Sequence, residues 1–290
     1  MTSESRTAAR AREITRAASQ QTYDIIRWLV DRDLRDQAFR AYAYFRWLDD
    51  TIDTLSTGGR PRLRLVARQR RLLRQLLAGC LPEGLAPEER LLADLVCTAR
   101  DDHPGLRSYL EKMMAVMAFD AARRGRWIST LELDHYSNLL STAVMDALSY
   151  FIGHDHVYPS DEGRILAAYG AHIAHMLRDT HDDLQAGYFN IPREVLEGQR
   201  LSPPDVSRTA YRAWVRERVL LARRYLADGK GYIRRMGNAR SQLAGYLYCT
   251  RFESVLRRIE RDGYLLRPDP VEMMGLPAWW RLVRWQPRPA

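Results

Sequence analysis

The sequence predicts an all-α fold. Ala, Leu, Arg and Glu, which favour helices, are abundant, and apolar residues recur three and four positions apart. Consecutive β-branched residues are nearly absent, and breaks rich in glycine or proline are few. These observations predict about eight to ten helices, without a linker between domains and without an internal repeat.

Short breaks divide the chain into stretches of helical periodicity, each about 15–35 residues long. In chain order the breaks are Thr57 to Pro61, Leu81 to Gly84, His103 to Gly105, Tyr158 to Ser160, Gly198, and Ser202 to Pro204. Helices end at such places because proline lacks a backbone N–H and glycine loses the most conformational freedom on folding. The first 15 residues or so are expected to be frayed.

Composition excludes several classes of protein. With 290 residues, 46% hydrophobic and 28% charged, the chain is globular rather than disordered. Cys80, Cys97 and Cys249 are scattered, with neither a disulfide framework nor the spacing of zinc ligands. No apolar run approaches the roughly 18 residues of a membrane span, and the N-terminus lacks the features of a secretory signal. The expected location is therefore cytoplasmic.

The net charge of +9 comes almost entirely from arginine, since Lys112 and Lys230 are the only lysines. The arginines are spread along the chain, whereas a nucleic-acid-binding protein more often clusters its cations. We therefore expect an anionic small molecule such as a diphosphate, and not a nucleic acid, as the partner. Near the end, LPAWWRLVRWQPRPA would allow transient membrane contact, but a short amphipathic helix packed on the body is favoured.

A first acidic segment, Ala41 to Thr54, reads AYAYFRWLDDTIDT. On one helix Tyr42, Arg46, Asp49 and Asp53 fall at i, i+4, i+7 and i+11, which places them on one face. Two carboxylates four residues apart repel each other by a few tenths of a kcal/mol. A nearby arginine or a bound divalent cation would compensate.

A second acidic segment, Ala171 to Leu196, repeats the pattern. His172, His175, Asp179 and Asp183 fall at i, i+3, i+7 and i+11, and are expected on one helical face. Asp182 lies beside them, and Arg178 could reach the same site.

Two such helices facing each other would form an oxygen-lined pocket suited to Mg²⁺ and a diphosphate. The alternative is that the acidic faces are solvated surface and that the histidines belong to the core. Two copies flanked by apolar residues and arginines favour the metal interpretation.

These segments resemble the squalene/phytoene synthase family. YAYFRWLDDTID is similar to the first aspartate-rich motif of that family, and RDTHDDLQAGYFNIPREVL is similar to the second. The stretch from Phe119 to Tyr136 resembles the region between the motifs, and LRRIERDGY resembles a C-terminal segment of the family. The resemblance spans residues 15–267 or so, and it implies a single-domain isoprenoid-synthase bundle with a central apolar cavity, which would occupy residues 16–290.

The resemblance also implies the chemistry. Family members bind a prenyl diphosphate through Mg²⁺ held by the two motifs, ionise it to an allylic cation and join that cation to a second prenyl diphosphate. Carried over by position, Asp49, Asp53, Asp179 and Asp183 would bind Mg²⁺, Arg46 and Arg178 would hold diphosphate, and Tyr42 would line the ionisation site. Asp50 and Asp182, beside these pairs, are assigned to substrate binding.

The sequence departs from the family on the acceptor side. A Gln and an Asn ahead of the second motif are His172 and His175 here, and three family tyrosines are Leu139, Asn190 and Phe252. Leucine and phenylalanine cannot donate a hydrogen bond to the second diphosphate. A neutral imidazole, by contrast, can remove a proton near pH 7. Such a proton is lost when a carbocation attacks an aromatic ring, as in the family's aromatic (carbazole) prenyltransferases.

The favoured hypothesis is therefore a Mg²⁺-dependent transfer of a prenyl group to an aromatic acceptor in secondary metabolism. The alternative is a head-to-head condensation of two prenyl diphosphates, giving phytoene, squalene or presqualene diphosphate. A non-enzymatic assembly or regulatory subunit is a weaker hypothesis, because it has no use for four clustered carboxylates. A chain-elongating synthase or a terpene cyclase fits less well, since the second segment reads DDLQA and no NSE-type triad follows.

Overall fold

The structure is a computed structural model that describes residues 3–55, 59–99, 104–154, 156–200, 202 and 211–267. Within these ranges all regular elements are helices, which confirms the all-α prediction. The α-helices are α1 Ser3–Ala18, α2 Gln20–Leu29, α3 Arg35–Thr54, α4 Arg60–Leu77, α5 Pro87–Cys97, α6 Pro104–Arg123, α7 Thr130–Phe151, α8 Leu166–Arg178, α9 Thr180–Ala186, α10 Arg193–Gln199, α11 Arg212–Arg235 and α12 Ala239–Arg261. A 3₁₀ turn, Glu162–Ile165, precedes α8.

The described residues hold more helices than the eight to ten expected, because some breaks carry no glycine or proline. Ser19 separates α1 from α2 by taking an extended conformation and accepting a hydrogen bond from the Thr22 amide at 3.1 Å. Asp179 separates α8 from α9. Such breaks are invisible to a search for glycine and proline.

The N-terminal helix α1 differs from the expected frayed terminus. It packs on α3 and α5, and Ala11 and Thr15 have no exposed surface. The Thr7 hydroxyl donates to Asp94 on α5 at 2.5 Å, and Arg10 pairs with Glu88. These contacts hold residues 3–18 in place from the first turn onward.

Two large hydrophobic clusters fill most of the interior of the described part of the chain, and a small third cluster consists of Ile128, Leu133 and Met176. The first is built from helices of the N-terminal half, around Tyr44, Leu48 and Leu92. The second lies among α8, α11 and α12, around Leu177, Val219 and Leu256. Helix α7 contributes to both, and it packs on α6 on one side and on α8 on the other. The first acidic segment thus belongs to one cluster and the second to the other, so the site lies where the clusters meet.

A capping box starts α7, the helix shared by the two clusters. The Ser129 hydroxyl accepts from the Glu132 amide at 3.2 Å, and the Glu132 carboxylate accepts from the Ser129 amide at 2.8 Å. Both bonds satisfy amides that a helix start leaves without partners.

In the described part of the chain, no helix is both long enough and apolar enough to cross a bilayer. The domain bounds given by the sequence stay a prediction, and the C-terminal Trp/Arg segment, residues 276–290, lies outside the described residues.

Candidate active site

The first acidic segment occupies the C-terminal half of α3, as the spacing predicted. Phe45, Leu48 and Ile52 are buried on one side and anchor the helix in the first cluster. Asp49 and Asp53 lie one turn apart, and burial raises the pKa of both carboxyls. For Asp49 the nearby Asp53 adds to the effect and its pKa reaches about 7. The repulsion expected from the sequence is therefore present in the fold.

The arginine of this segment is paired within its own helix. The Arg46 guanidinium donates to Asp50 through Nε at 3.0 Å and through Nη2, while its Nη1 lies 3.8 Å from Asp49. Asp50, which the sequence assigned to substrate binding, is thus the main partner of Arg46 in this structure. Tyr42 lies one turn earlier, largely buried beside Thr22 and Arg251.

The second acidic segment does not form the single helical face that the sequence predicted. Helix α8 ends at Arg178, and Asp179 has φ −91° and ψ 7° before α9 begins. The i to i+4 backbone bonds nevertheless continue across the break, from the Asp179 amide to His175 O at 3.0 Å and from the Asp183 amide to Asp179 O at 2.8 Å. The expected spacing is therefore kept locally, although the helix is divided.

Asp179 pairs with two neighbouring side chains, Arg178 and His175. Arg178 donates to it twice, at 2.5 and 2.7 Å, and His175 Nε2 lies 2.8 Å from its Oδ2. Burial alone would raise the pKa of Asp179, but His175 and Arg178 outweigh burial and hold that pKa well below the usual range. Asp179 is therefore ionised, and it orients both neighbours.

Asp182, a substrate-binding candidate from the sequence, is half-buried on α9.

Asp183 has the opposite environment. Burial and the nearby Asp179 raise its pKa to about 8. Its hydrogen-bond partner is a neutral amide, Asn190 Nδ2 at 2.5 Å. Without a cation this carboxyl is partly protonated at neutral pH.

Side chains other than the predicted aspartates join the two segments. The Tyr188 hydroxyl donates to Asp53 at 2.8 Å, which links the loop after α9 to α3. Arg123 at the end of α6 donates to Asp120 at 2.7 Å and to Asn190 Oδ1 at 2.7 Å. Asn190 in turn donates to Asp183, so Arg123 is connected to Asp183 through this amide. Asn190, which stands where the family has a tyrosine, hydrogen-bonds both Arg123 and Asp183.

Asp120 is a further acidic group at the junction, besides Asp49, Asp53, Asp179 and Asp183. It influences the pKa of Asp49, Asp53 and Asp183, and it accepts a hydrogen bond from Tyr136 at 3.0 Å. The site residues predicted from the sequence did not include Asp120, Arg123, Tyr136 or Tyr188. The signal was present, because Asp120 and Tyr136 fall in the stretch that resembles the family and Tyr188 falls in the second motif.

The two histidines have different surroundings. His172 is 5% exposed, its ring meets Tyr136 edge-on at 5.2 Å, and neither ring nitrogen has a protein partner among the described residues. Burial, helped by the charges of His175, Arg123 and Arg218, holds its pKa well below the usual value. His172 is therefore a neutral side chain in the core. His175, with 47% of its side chain accessible, lies at the site.

The two apolar acceptor-side positions, Phe252 and Leu139, pack among other apolar residues. Phe252 is buried in the second cluster, 6.1 Å from the His175 ring and 5.0 Å from Tyr248. Leu139 is half-buried against the first cluster.

A small cavity of about 10 Å³ lies next to Asn190 and Arg218. It holds at most one water. The depth of the apolar cavity for a prenyl chain stays a prediction.

The donor chemistry of the junction fits a hard divalent cation. Asp49, Asp53 and Asp183 offer carboxylate oxygens whose pKa values are raised by burial and, for Asp49 and Asp183, by a neighbouring carboxylate, so a bound cation would be stabilising there. In the described ranges no three His, Cys, Asp or Glu side chains converge as a ready-made metal cluster. Mg²⁺ is commonly held by one or two carboxylates together with water and substrate phosphates, so these residues suit it.

Comparison with known proteins places this geometry in context. The family model for squalene/phytoene synthase matches residues 15–279. Squalene synthase HpnC from Alicyclobacillus acidocaldarius has a TM-score of 0.68 at 20% identity, covering 91% of this chain and 95% of that one. A dehydrosqualene synthase in complex with a ligand has a TM-score of 0.64 at 16% identity, covering 97% and 96%. A cucumene synthase variant has a TM-score of 0.51 at 14% identity, covering 89% and 95%. No curated protein matches the sequence significantly.

Proposed function

The chain is a prenyltransferase of the squalene/phytoene synthase family, and we propose that it transfers the prenyl group of an allylic diphosphate to an aromatic acceptor, with Mg²⁺. The family acts on prenyl diphosphates and depends on divalent metals in general. The observation that carries the finer proposal is the acceptor side, where an accessible His175 lies beside an apolar Phe252.

The donor half of the reaction is assigned to the two acidic segments. Asp49, Asp53, Asp179 and Asp183 would hold Mg²⁺, which when bound neutralises charge on the diphosphate leaving group. Arg46 and Arg178 would bind diphosphate oxygens, since Arg46 lies beside Asp49 and Arg178 beside Asp179. Tyr42 would line the space where the prenyl carbon–oxygen bond breaks.

His175 is the preferred base for the acceptor half. Its Nε2 faces Asp179 at 2.8 Å, so Nδ1 is the nitrogen left to receive a proton. When the allylic carbon bonds to the ring, the proton on the attacked ring carbon must leave, and Nδ1 can take it. His172 is disfavoured as a base because burial, together with Arg123 and Arg218, opposes its charged form.

Head-to-head condensation of two prenyl diphosphates is the second candidate. Tyrosines at other positions bring hydroxyl groups to the site in place of the family tyrosines that this sequence lacks. Tyr188 and Tyr136 donate to acidic groups of the site, and Tyr248 contacts Phe252. The names of the similar structures, a squalene synthase and a dehydrosqualene synthase, are consistent with this alternative, although at 20% and 16% identity their similarity extends to the fold alone.

Product analysis by mass spectrometry separates the two candidates. The protein and Mg²⁺ are incubated with prenyl diphosphates of five to twenty carbons, with and without hydroxylated aromatic compounds. A prenylated aromatic formed only with the acceptor is the expected result. A hydrocarbon of thirty or forty carbons formed from the donor alone would establish the head-to-head reaction instead.

Replacement of Asp49 by alanine tests the metal assignment. Asp49→Ala removes a carboxylate from the acidic junction, so turnover should fall at least about 100-fold while helicity stays unchanged by circular dichroism. Asp228→Ala, an exposed aspartate on α11, is the matched control and should retain activity. Equal turnover of Asp49→Ala and wild type, with and without EDTA, would remove the Mg²⁺ assignment.

Replacement of His175 tests the base. In His175→Asn, transfer to the aromatic compound should fall about 100-fold or more, the usual contribution of a general base. Release of prenyl alcohol from the donor should persist, because ionisation does not need the base. The control is His135→Asn, an exposed histidine on α7. Unchanged transfer in His175→Asn would exclude the base role.

A further inference from the structure

Arg124 connects the ends of the two helices that carry the acidic segments. Its Nε donates to the carbonyl oxygen of Ala186 at 2.7 Å, at the last residue of α9. Its Nη1 donates to the carbonyl oxygens of Asp53 at 2.9 Å and Leu55 at 3.4 Å, at the end of α3. One guanidinium therefore serves carbonyls of two helices that are distant in sequence.

The chemistry of helix ends explains why this contact is favourable. The last carbonyls of a helix have no partner within the helix and carry partial negative charge. A cation placed there is stabilising, and the planar guanidinium presents several donors in fixed directions. Lysine carries the same charge on a single flexible ammonium, so it cannot hold two helix ends in one geometry.

Other bonds at the same place reinforce the connection. The Gly125 amide donates to Gly187 O at 2.7 Å, where Gly187 ends α9 in a left-handed conformation with φ 85°. Tyr188, the next residue, donates to Asp53 at 2.8 Å and lies with its ring 5.8 Å from the Arg124 guanidinium carbon. The contacts of Arg124 thus end at the turns that bear Asp53 and Asp183.

We infer that Arg124 is a positioning residue, which fixes the separation of α3 and α9 and so of their aspartates. The consequence for metal and diphosphate binding rests on the proposed function. The inference about the two helix ends stands on the geometry alone. Arg124 donates hydrogen bonds to backbone carbonyls at both helix ends and lies near the Tyr188 ring, so we place its effect on the turns that carry the aspartates and not on the substrate.

Amide hydrogen exchange tests the inference directly. In Arg124→Lys, amides in residues 50–55 and 180–188 should exchange about tenfold faster, because both segments lose shared hydrogen bonds. The matched control is Arg126→Lys, two residues away, whose partner is Glu132 at the start of α7. Faster exchange in only one segment, or in neither, would overturn the inference. Arg124→Gln provides a second variant if the lysine variant is poorly folded.

A binding measurement separates this inference from the proposed function. The shift in Tm produced by Mg²⁺ with inorganic pyrophosphate is followed against Mg²⁺ concentration. Arg124→Lys should need about tenfold more Mg²⁺ for the half-maximal shift, and Arg126→Lys should match wild type. A role in stability only would lower Tm without changing this concentration, and would overturn the positioning role. If wild type itself shows no shift, the metal assignment fails, and the exchange result still decides the coupling of α3 and α9.

Discussion

Asp179 and Asp183 show how one side-chain type takes opposite states four residues apart. Asp179 accepts three hydrogen bonds from Arg178 and His175, so its ionised form is favoured. Asp183 accepts a hydrogen bond from the Asn190 amide, and burial together with Asp179 outweighs the more distant charge of Arg123, so its neutral form is favoured. Asp179 therefore orients Arg178 and His175, whereas at Asp183 an added positive charge would be stabilising.

These two residues should respond oppositely to the same substitution. In the absence of metal at pH 8, Asp179→Asn should destabilise the protein by about 1–3 kcal/mol, because it removes the acceptor of a buried charged network. Asp183→Asn should stabilise it by about 1 kcal/mol, because it removes an unfavourable charge. Urea unfolding of the two variants measures both values. Destabilisation of similar size in both would mean that Asp183 is already balanced by a positive charge.

At the scale of elements, α8 and α11 pack along each other, and glycines let them approach closely. A Cβ at Gly229 on α11 would lie 2.3 Å from the Ala167 backbone nitrogen on α8. A Cβ at Gly170 on α8 would lie 2.8 Å from the Ala222 carbonyl oxygen on α11. Because these obstacles are backbone atoms, a methyl group can be accommodated only if the helices separate. Helix α8 carries both histidines and leads directly into Asp179.

Gly229→Ala should therefore destabilise the protein by about 1–3 kcal/mol through overpacking, although alanine is the better helix former. Gly231→Ala is the matched control, because a Cβ at Gly231, on the same helix, meets nothing within 4 Å. That control should be neutral or stabilising by up to about 1 kcal/mol. Chemical denaturation measures both. If Gly229→Ala were as stable as Gly231→Ala, the close approach of α8 and α11 would be wrong.

At the scale of the whole molecule, stability is linked to pH through the acidic junction. In the metal-free protein the pKa of Asp49 is raised to about 7 and that of Asp183 to about 8. From about pH 4 up to these values, the folded state keeps protons that the unfolded chain releases. These groups therefore make folding less favourable as pH rises through that window.

Between about pH 6.5 and 8 the metal-free Tm should fall by about 2–4 °C from this source. Below about pH 6.5 the lowered pKa of His172 acts in the opposite direction, since the unfolded state then binds more protons. Differential scanning calorimetry of wild type and of the double variant Asp49→Asn, Asp183→Asn isolates the effect. The same fall in both proteins would contradict the assignment.

Much of this molecule follows from local sequence. Helical periodicity gives the all-α class, and the one-face spacing of Asp49 and Asp53 is found on α3. The resemblance to squalene/phytoene synthases is confirmed by the family match over residues 15–279. These features depend on residue type and on the 3.6-residue helical period, both of which are written in short stretches of sequence.

Other features were decided by the tertiary structure. Arg123 meets Asn190 across 67 residues and Tyr188 meets Asp53 across 135, and no local pattern specifies such pairs. The break at Asp179 and the burial of His172 likewise depend on how helices pack. A helical period fixes which residues share a face, whereas the pKa of a carboxyl depends on what the other helices bring to that face.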